Sequence, residues 1–323
     1  MRLVFLFLGS TLTFAGYAAF AQQDASLLEG HTGRVWALDT DRRSALLISG
    51  SVDGTARIWN FRTLQSLHVL QGHDGRVRSV TIAPNGEIVA TGDYSGTIRI
   101  WSTDGRLLRT ISAHNDVVRD LAFSPDSATL ASASYDRTAK LWRVVSGESI
   151  AVLVGHKSMV TTVAFSSKGN LIATGADDYS IRFWDGVTGE PRGVLSGHTD
   201  NVRELKFSPS GDRLISGSDD RTVRLWETHS QKLIATLSGH LSDITAVDFI
   251  DERCAVSVSY DKTIRYWDTV AGVSNEIVQG HADEIWALTS LSDGSLATAD
   301  NDGVIKVWPS VAVGNNCGDA TVR

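Results

Sequence analysis

Residues 217–226 read GSDDRTVRLW, packing two adjacent carboxylates (Asp219 and Asp220), two arginines, a serine, a threonine and a tryptophan into ten positions. Such a set could be an acid, a base and a cationic clamp, or it could be a turn between two strands. Its recurrence decides between them. His198 lies 28 residues before Trp226, and the same pairing joins His31 to Trp59, His73 to Trp101, His114 to Trp142, His156 to Trp184, His240 to Trp267 and His281 to Trp308. The interval is 28 residues in five copies and 27 in the last two, and successive histidines stand 41 or 42 apart. A fixed period of this length marks a repeat architecture in which each copy is one supersecondary unit.

Within the copy that begins at His198, VRELKFS alternates apolar and polar residues as a half-buried strand does. PSGD is a turn, and RLISGS, RTVRLW and KLIATL supply three further strands. Four short antiparallel strands make one small sheet, and seven such sheets set radially bury one another's faces and close into a ring. The expected fold class is therefore all-β, a seven-bladed β-propeller of four-stranded antiparallel blades. Two residues before each tryptophan stands a cation: Arg57, Arg99, Lys140, Arg182, Arg224, Arg265 or Lys306. Strand alternation sets each cation beside its tryptophan, where its stem covers the ring and its charge reaches water. With a net charge of −7, the chain has no overall attraction to nucleic acid, so these cations are not a nucleic-acid track.

Six residues before the tryptophan stand Asp53, Asp136, Asp178, Asp220, Asp261 and Asp302, with Ser95 at that place in the second copy. Ten before it is always Ser or Thr. Hydroxyl, histidine and aspartate are also the members of a hydrolase triad. A catalytic set is assembled once per domain, however, whereas this one recurs seven times with no GxSxG nucleophile motif. Seven histidines in seven blades also do not converge on one metal. A buried chain from Asp through His and hydroxyl to the Trp Nε1–H satisfies polar groups that every blade must bury. The quoted stretch is thus a turn brace, and no catalytic residue, metal or cofactor is assigned. In the second copy Asp93 lies two places out of register, so a weaker brace is expected there.

These features, clearest in AHNDVVRDLAFSPDSATLASASYDRTAKLW over residues 113–142, resemble the WD-repeat (beta-transducin-like) family. The resemblance covers residues 24–309 and implies a seven-bladed propeller with the Asp–His–Ser/Thr–Trp set as structural glue. The terminal WD dipeptide itself stands only at Trp184-Asp185 and Trp267-Asp268. The resemblance also implies that the strand at Ala25–Leu28 completes the last blade, since no fourth-strand pattern follows Trp308.

Outside the repeats, residues 1–21 carry one charge, Arg2, an apolar run and Ala19-Phe20-Ala21, the layout of a secretory signal peptide cut before Gln22. Loss of Arg2 takes the net charge from −7 to −8. The expected organisation is a leader over 1–21, one propeller over 22–309 and a tail over 310–323, with an exported product, periplasmic or secreted, that keeps no stable membrane insertion after cleavage. Of the two cysteines, Cys254 lies in an apolar run and Cys317 in the tail, and whether they are bridged is left open.

The positions that the brace leaves free carry the functional reading. Five residues after the histidines stand Trp36, Arg78, Arg119, Arg203 and Trp286, and just before the turn positions stand Tyr94, Tyr135, Asp177, Asp219 and Tyr260. The family places both sets on the top-face rim of the channel, and Trp, Tyr and Arg are the residue types that dominate binding hot spots. The expected function is a non-catalytic exported scaffold that binds a protein or peptide on this face, with Trp36 and Trp286 adjacent across the closure seam. The alternative is an enzyme or enzyme accessory that holds a ligand or metal at the channel mouth between Asp177 and Asp219, with Arg203 beside them.

Overall fold

The blade that contains the quoted turn shows how each copy is built. In a computed structural model that describes residues 25–41 and 43–310, the strands are numbered β1 to β28 in chain order. The leader expected over residues 1–21 and the tail after Ser310, Cys317 included, lie outside the described residues. Strands β18 (Val202–Phe207), β19 (Arg213–Ser218), β20 (Thr222–Glu227) and β21 (Lys232–Ser238) pair in sequence order, all antiparallel. DDR forms the tight turn between β19 and β20, with Arg221 at a φ of 66°. That left-handed conformation falls to Gly54 in the first copy, whose φ is 83°. Six sheets share this order, and the seventh runs β1-β28-β27-β26.

The seventh sheet closes the ring. Strand β1 (Ser26–Leu28) pairs antiparallel with β28 (Ile305–Trp308), Leu28 lying opposite Ile305. The N-terminal strand therefore completes the last blade as expected and removes the open edge of β28. Leu28 is fully buried in a cluster with Val35, Trp59, Ala297 and Ile305, which joins the first blade to the last.

Every other seam is built the same way. Ile215, Val223 and Leu225 of the fifth blade pack on Ile244, Val247 and Trp267 of the sixth. A Cβ on Gly217 would stand 2.7 Å from Ile244 Cγ2 and 2.9 Å from Val247 Cγ1, so this strand's backbone approaches its neighbour closely.

The brace is present in all seven blades. Trp226 Nε1–H donates to Ser216 Oγ at 2.9 Å, and His198 Nε2 lies 2.7 Å from the same oxygen. His198 Nδ1 lies 2.7 Å from Asp220 Oδ2, which also accepts from the Thr199 N–H at 3.1 Å. One tautomer satisfies the whole chain: Trp N–H to hydroxyl, hydroxyl to Nε2, Nδ1–H to carboxylate.

Two expectations need correction. In the second blade Asp93, not Ser95, closes the chain, its Oδ2 lying 2.6 Å from His73 Nδ1, while Thr91 Oγ1 takes His73 Nε2 and the Trp101 N–H. In the seventh, Asp300 replaces Asp302, at 2.8 Å from His281 Nδ1. Asp93 is the last residue of its strand and Asp300 directly follows the end of its own, each two places before the turn position, and from there the carboxylate reaches the ring. Asp93 is fully buried and also accepts from Arg99 at 3.1 Å, so the second brace is complete and carries an ion pair besides.

Candidate functional site

The innermost strand of each blade faces the channel, and in the first six blades its ladder is interrupted near its start. In β18, Val202 pairs with Ser218 and Glu204 with Gly217, so Arg203 is left out as a β-bulge. The same shift leaves out Trp36, Arg78, Arg119, Thr161 and Thr245 in their blades. A bulge re-aims a side chain relative to the pleat. Here it serves the position five residues after the brace histidine in six blades, while in the seventh the Trp286 N–H donates to the Ala299 carbonyl at 2.8 Å.

The outcome is a cavity of about 300 Å³ at one mouth of the channel, lined by Arg34, Trp36, Arg78, Tyr94, Arg119, Tyr135, Arg203, Thr245, Tyr260 and Trp286. Eight of the ten residues singled out in the sequence line this one space. The other two stand beside it. Asp219 takes both Arg203 Nε, at 2.7 Å, and Arg203 Nη2, in a bidentate pair, and Asn201 donates to Asp219 at 3.0 Å. Asp177 makes no such pair, and its Oδ1 is buried without a hydrogen-bond partner among the described residues. Asp177, Arg203 and Asp219 are thus not an open dyad with a shared cation. Among the described residues, no group of three or more His, Cys, Asp or Glu is placed to hold a metal.

The two tryptophans are not bare platforms. Trp36 stacks on Tyr94 of the next blade with centroids 5.3 Å apart, and the guanidiniums of Arg76 and Arg78 lie 5.8 and 5.3 Å from its ring. Trp286 packs on Tyr260 at 4.6 Å, while Arg34 crosses the closure seam and covers its ring at 4.2 Å. The seam is therefore joined through Arg34, with each tryptophan paired to a tyrosine of its other neighbour. Sequence alone had no signal for these stacks, because partners on different blades are set by ring geometry. Arg34 and Arg76 share a place three residues after their histidines, two before the bulge, which puts them at the same rim.

The mouth is cationic. Burial and the neighbouring Arg119 bring the Arg78 guanidinium down to about 10. Burial raises the Tyr135 phenol, but Arg119, Arg78 and Arg203 outweigh it and leave the group below its usual value. Arg203 goes the other way: burial disfavours its charge, and Asp219 more than compensates. Asp177 is raised by burial against the pull of Arg203 and Arg119.

Beneath the mouth the channel continues as a cavity of about 350 Å³, and Trp36, Arg78, Arg119 and Trp286 border both spaces as a collar. The channel is acidic, a feature not singled out in the sequence, although VRELKFS places Glu204 and Lys206 on its polar face. Glu204 Oε1 lies 3.3 Å from Lys206 Nζ, and burial pushes Glu204 up to about 7 against the effect of Lys206. Three aspartates fasten neighbouring blades: Asp39 accepts from Ile82 N–H at 3.0 Å, Asp120 from Val163 N–H at 2.9 Å and Asp248 from Ser290 N–H at 2.9 Å.

Comparison with known proteins fits this geometry. The family profile described as WD domain, G-beta repeat matches residues 22–60, 64–102, 105–143, 147–185, 189–227, 231–268 and 272–309. Short stretches are similar to curated proteins. Eukaryotic translation initiation factor 3 subunit I of Schizosaccharomyces pombe is 42% identical over 40 residues, 12% of each chain. The subunit of the same name from Mycosarcoma maydis is 51% identical over 35 residues, 11% of this chain and 10% of the relative. The matched stretches thus span about a tenth of the curated relatives' length, less than one blade. The profile instead recurs seven times, each copy taking the outer strand of one blade with the three inner strands of the next, and on that evidence the chain belongs to the WD-repeat family.

Proposed function

We propose that this chain is an exported, non-catalytic scaffold that binds a protein or peptide on the channel-mouth face. One observation carries the reading: five of the six bulged residues, which the ladder does not need, converge with Trp286 on a single cavity rich in Trp, Tyr and Arg. WD-repeat propellers generally bind proteins, and nothing in the brace is shaped for turnover. The charge on this face is divided, with Arg34, Arg76, Arg78 and Arg119 on the first three blades and Asp177, Asp219, Asp243 and Glu284 on the fourth to seventh, Arg203 on the fifth being the exception. Such a face orients a segment that carries opposite charges at its two ends. Export rests on the leader-like residues 1–21, and the intact mass of the protein from its native source tests it: a chain that begins at Gln22 is expected, and one that begins at Met1 contradicts it.

The binding face is tested by affinity capture, comparing the wild type with Trp286→Ala and Arg78→Glu. Trp286 is half-buried at the rim, so its truncation should abolish capture and leave the fold intact. Charge reversal at Arg78 should mainly slow association and alter its salt dependence. Undiminished capture by a folded Trp286→Ala protein would place the binding surface elsewhere.

A further inference from the structure

Buried polar atoms without partners occur beside the brace tryptophans, at Arg57, Arg182, Arg224 and Arg265 Nε, and also at the mouth. Arg34 Nε, Arg119 Nε, Trp286 Nε1 and Asp177 Oδ1 are all buried with no hydrogen bond among the described residues. The Arg119 side chain belongs to a residue only 8% exposed, and its Nε has no hydrogen-bond partner among the described residues. Arg78, 7% exposed, makes one long bond, 3.4 Å, to the Trp36 carbonyl. Arg203 differs from both, since Asp219 neutralises it through a two-point contact. Two guanidiniums on adjacent blades are therefore buried side by side with no direct ion pair among the described residues. Asp120 and Asp177 act on them only at longer range, and their donors are open to a bound acceptor.

We propose that the cleft between Arg78 and Arg119 takes the carboxylate of an acidic side chain, Asp or Glu, presented by the bound peptide or protein. This deepens the reading of the mouth as a binding face and rests on it. A planar carboxylate matches the forked donors of a guanidinium, and the Trp286 indole N–H lies in the same cavity as a further donor. The cavity of about 300 Å³ admits a side chain but not a folded element. Charge selects a monoanion. Beneath the collar lie Asp120 and Glu204, which repel a dianion such as a phosphate more than a monoanion. The tryptophan faces are already covered by Arg34, Arg76 and Arg78, so the free chemistry of the site is cationic more than aromatic.

The test is an NMR titration of the Nε–H resonances of Arg78 and Arg119, assigned through Arg78→Lys and Arg119→Lys. The probes are N-acetyl-glutamate N-methylamide and its glutamine and phosphoserine counterparts. The glutamate compound should shift both resonances saturably at millimolar concentration, glutamine should not, and phosphoserine should bind at least several-fold more weakly. Arg119→Gln should abolish saturation while the brace tryptophan indole resonances stay in place; if that variant does not fold, Arg119→Lys should weaken binding instead. Absence of a saturable shift, or equal shifts from glutamine, overturns the proposal, and tighter binding of phosphoserine overturns the choice of a carboxylate. A failed titration alongside loss of capture in Trp286→Ala would leave the binding face standing without its acidic anchor. A successful titration alongside full capture would retain the anion site and displace the partner.

Discussion

Asp220 does four things at once: it accepts from His198, from the Thr199 and Thr222 amides and from the Thr222 hydroxyl at 2.6 Å. Removing one partner of a buried network leaves the others unsatisfied, so Asp220→Ala should lower stability by roughly 1–3 kcal/mol, read as a shift in urea midpoint. Asp93→Ala should cost at least as much, because Asp93 serves His73, Ser95, Thr97 and Arg99 together. Asp300→Ala should cost far more than Asp302→Ala, since only Asp300 reaches its histidine. Equal losses at 300 and 302 would contradict the reassignment. The residue pattern made the brace legible as hydroxyl, histidine and tryptophan in fixed register. Two aspartates escaped it because a carboxylate two places back meets the same imidazole from a different backbone position. Spacing measures sequence, while the bond requires only reach.

Strand order and the sharing of the last blade were readable at the scale of the element, since alternation and turn residues recur with each copy. The bulge was not. A single residue omitted from the ladder leaves the apolar pattern of VRELKFS intact, so periodicity does not register it. Position relative to the histidine nevertheless selected the bulged residues, because each bulge holds the same place in its copy. Strand β1 gives this scale its test. Deleting residues 22–28 removes the Ser26–Leu28 ladder and empties the place of Leu28 in the seam. The truncated protein should melt earlier and aggregate through the bared edge of β28. An unchanged melting temperature and a monomeric profile on gel filtration would mean that the strand is dispensable.

Across the whole molecule, braces and channel respond to acid with opposite signs. Burial, only partly offset by their aspartates, lowers His114, His198, His240 and His281 from 6.5. The unfolded chain therefore takes up protons below about pH 6.5 that the folded state refuses, and stability falls as pH drops. Glu204, raised from 4.5 to about 7, binds its proton first in the folded state and contributes in the other direction between those values. Burial raises Asp39 and Asp177 as well, on the side of Glu204. With the four histidines as the larger contribution, the melting temperature should decline from pH 7 to pH 5, and Glu204→Gln should steepen the decline. A rise in melting temperature over that range would contradict this balance. The central claim, that the bulged rim is where a partner sits, is tested most directly by hydrogen–deuterium exchange of the protein with and without its captured partner. Protection confined to the amides around residues 34–36, 76–78, 117–119, 201–203 and 284–286 is the expected result. Protection on the outer strands, such as Ser149–Val154 or Lys232–Ser238, with the rim unchanged, would contradict it.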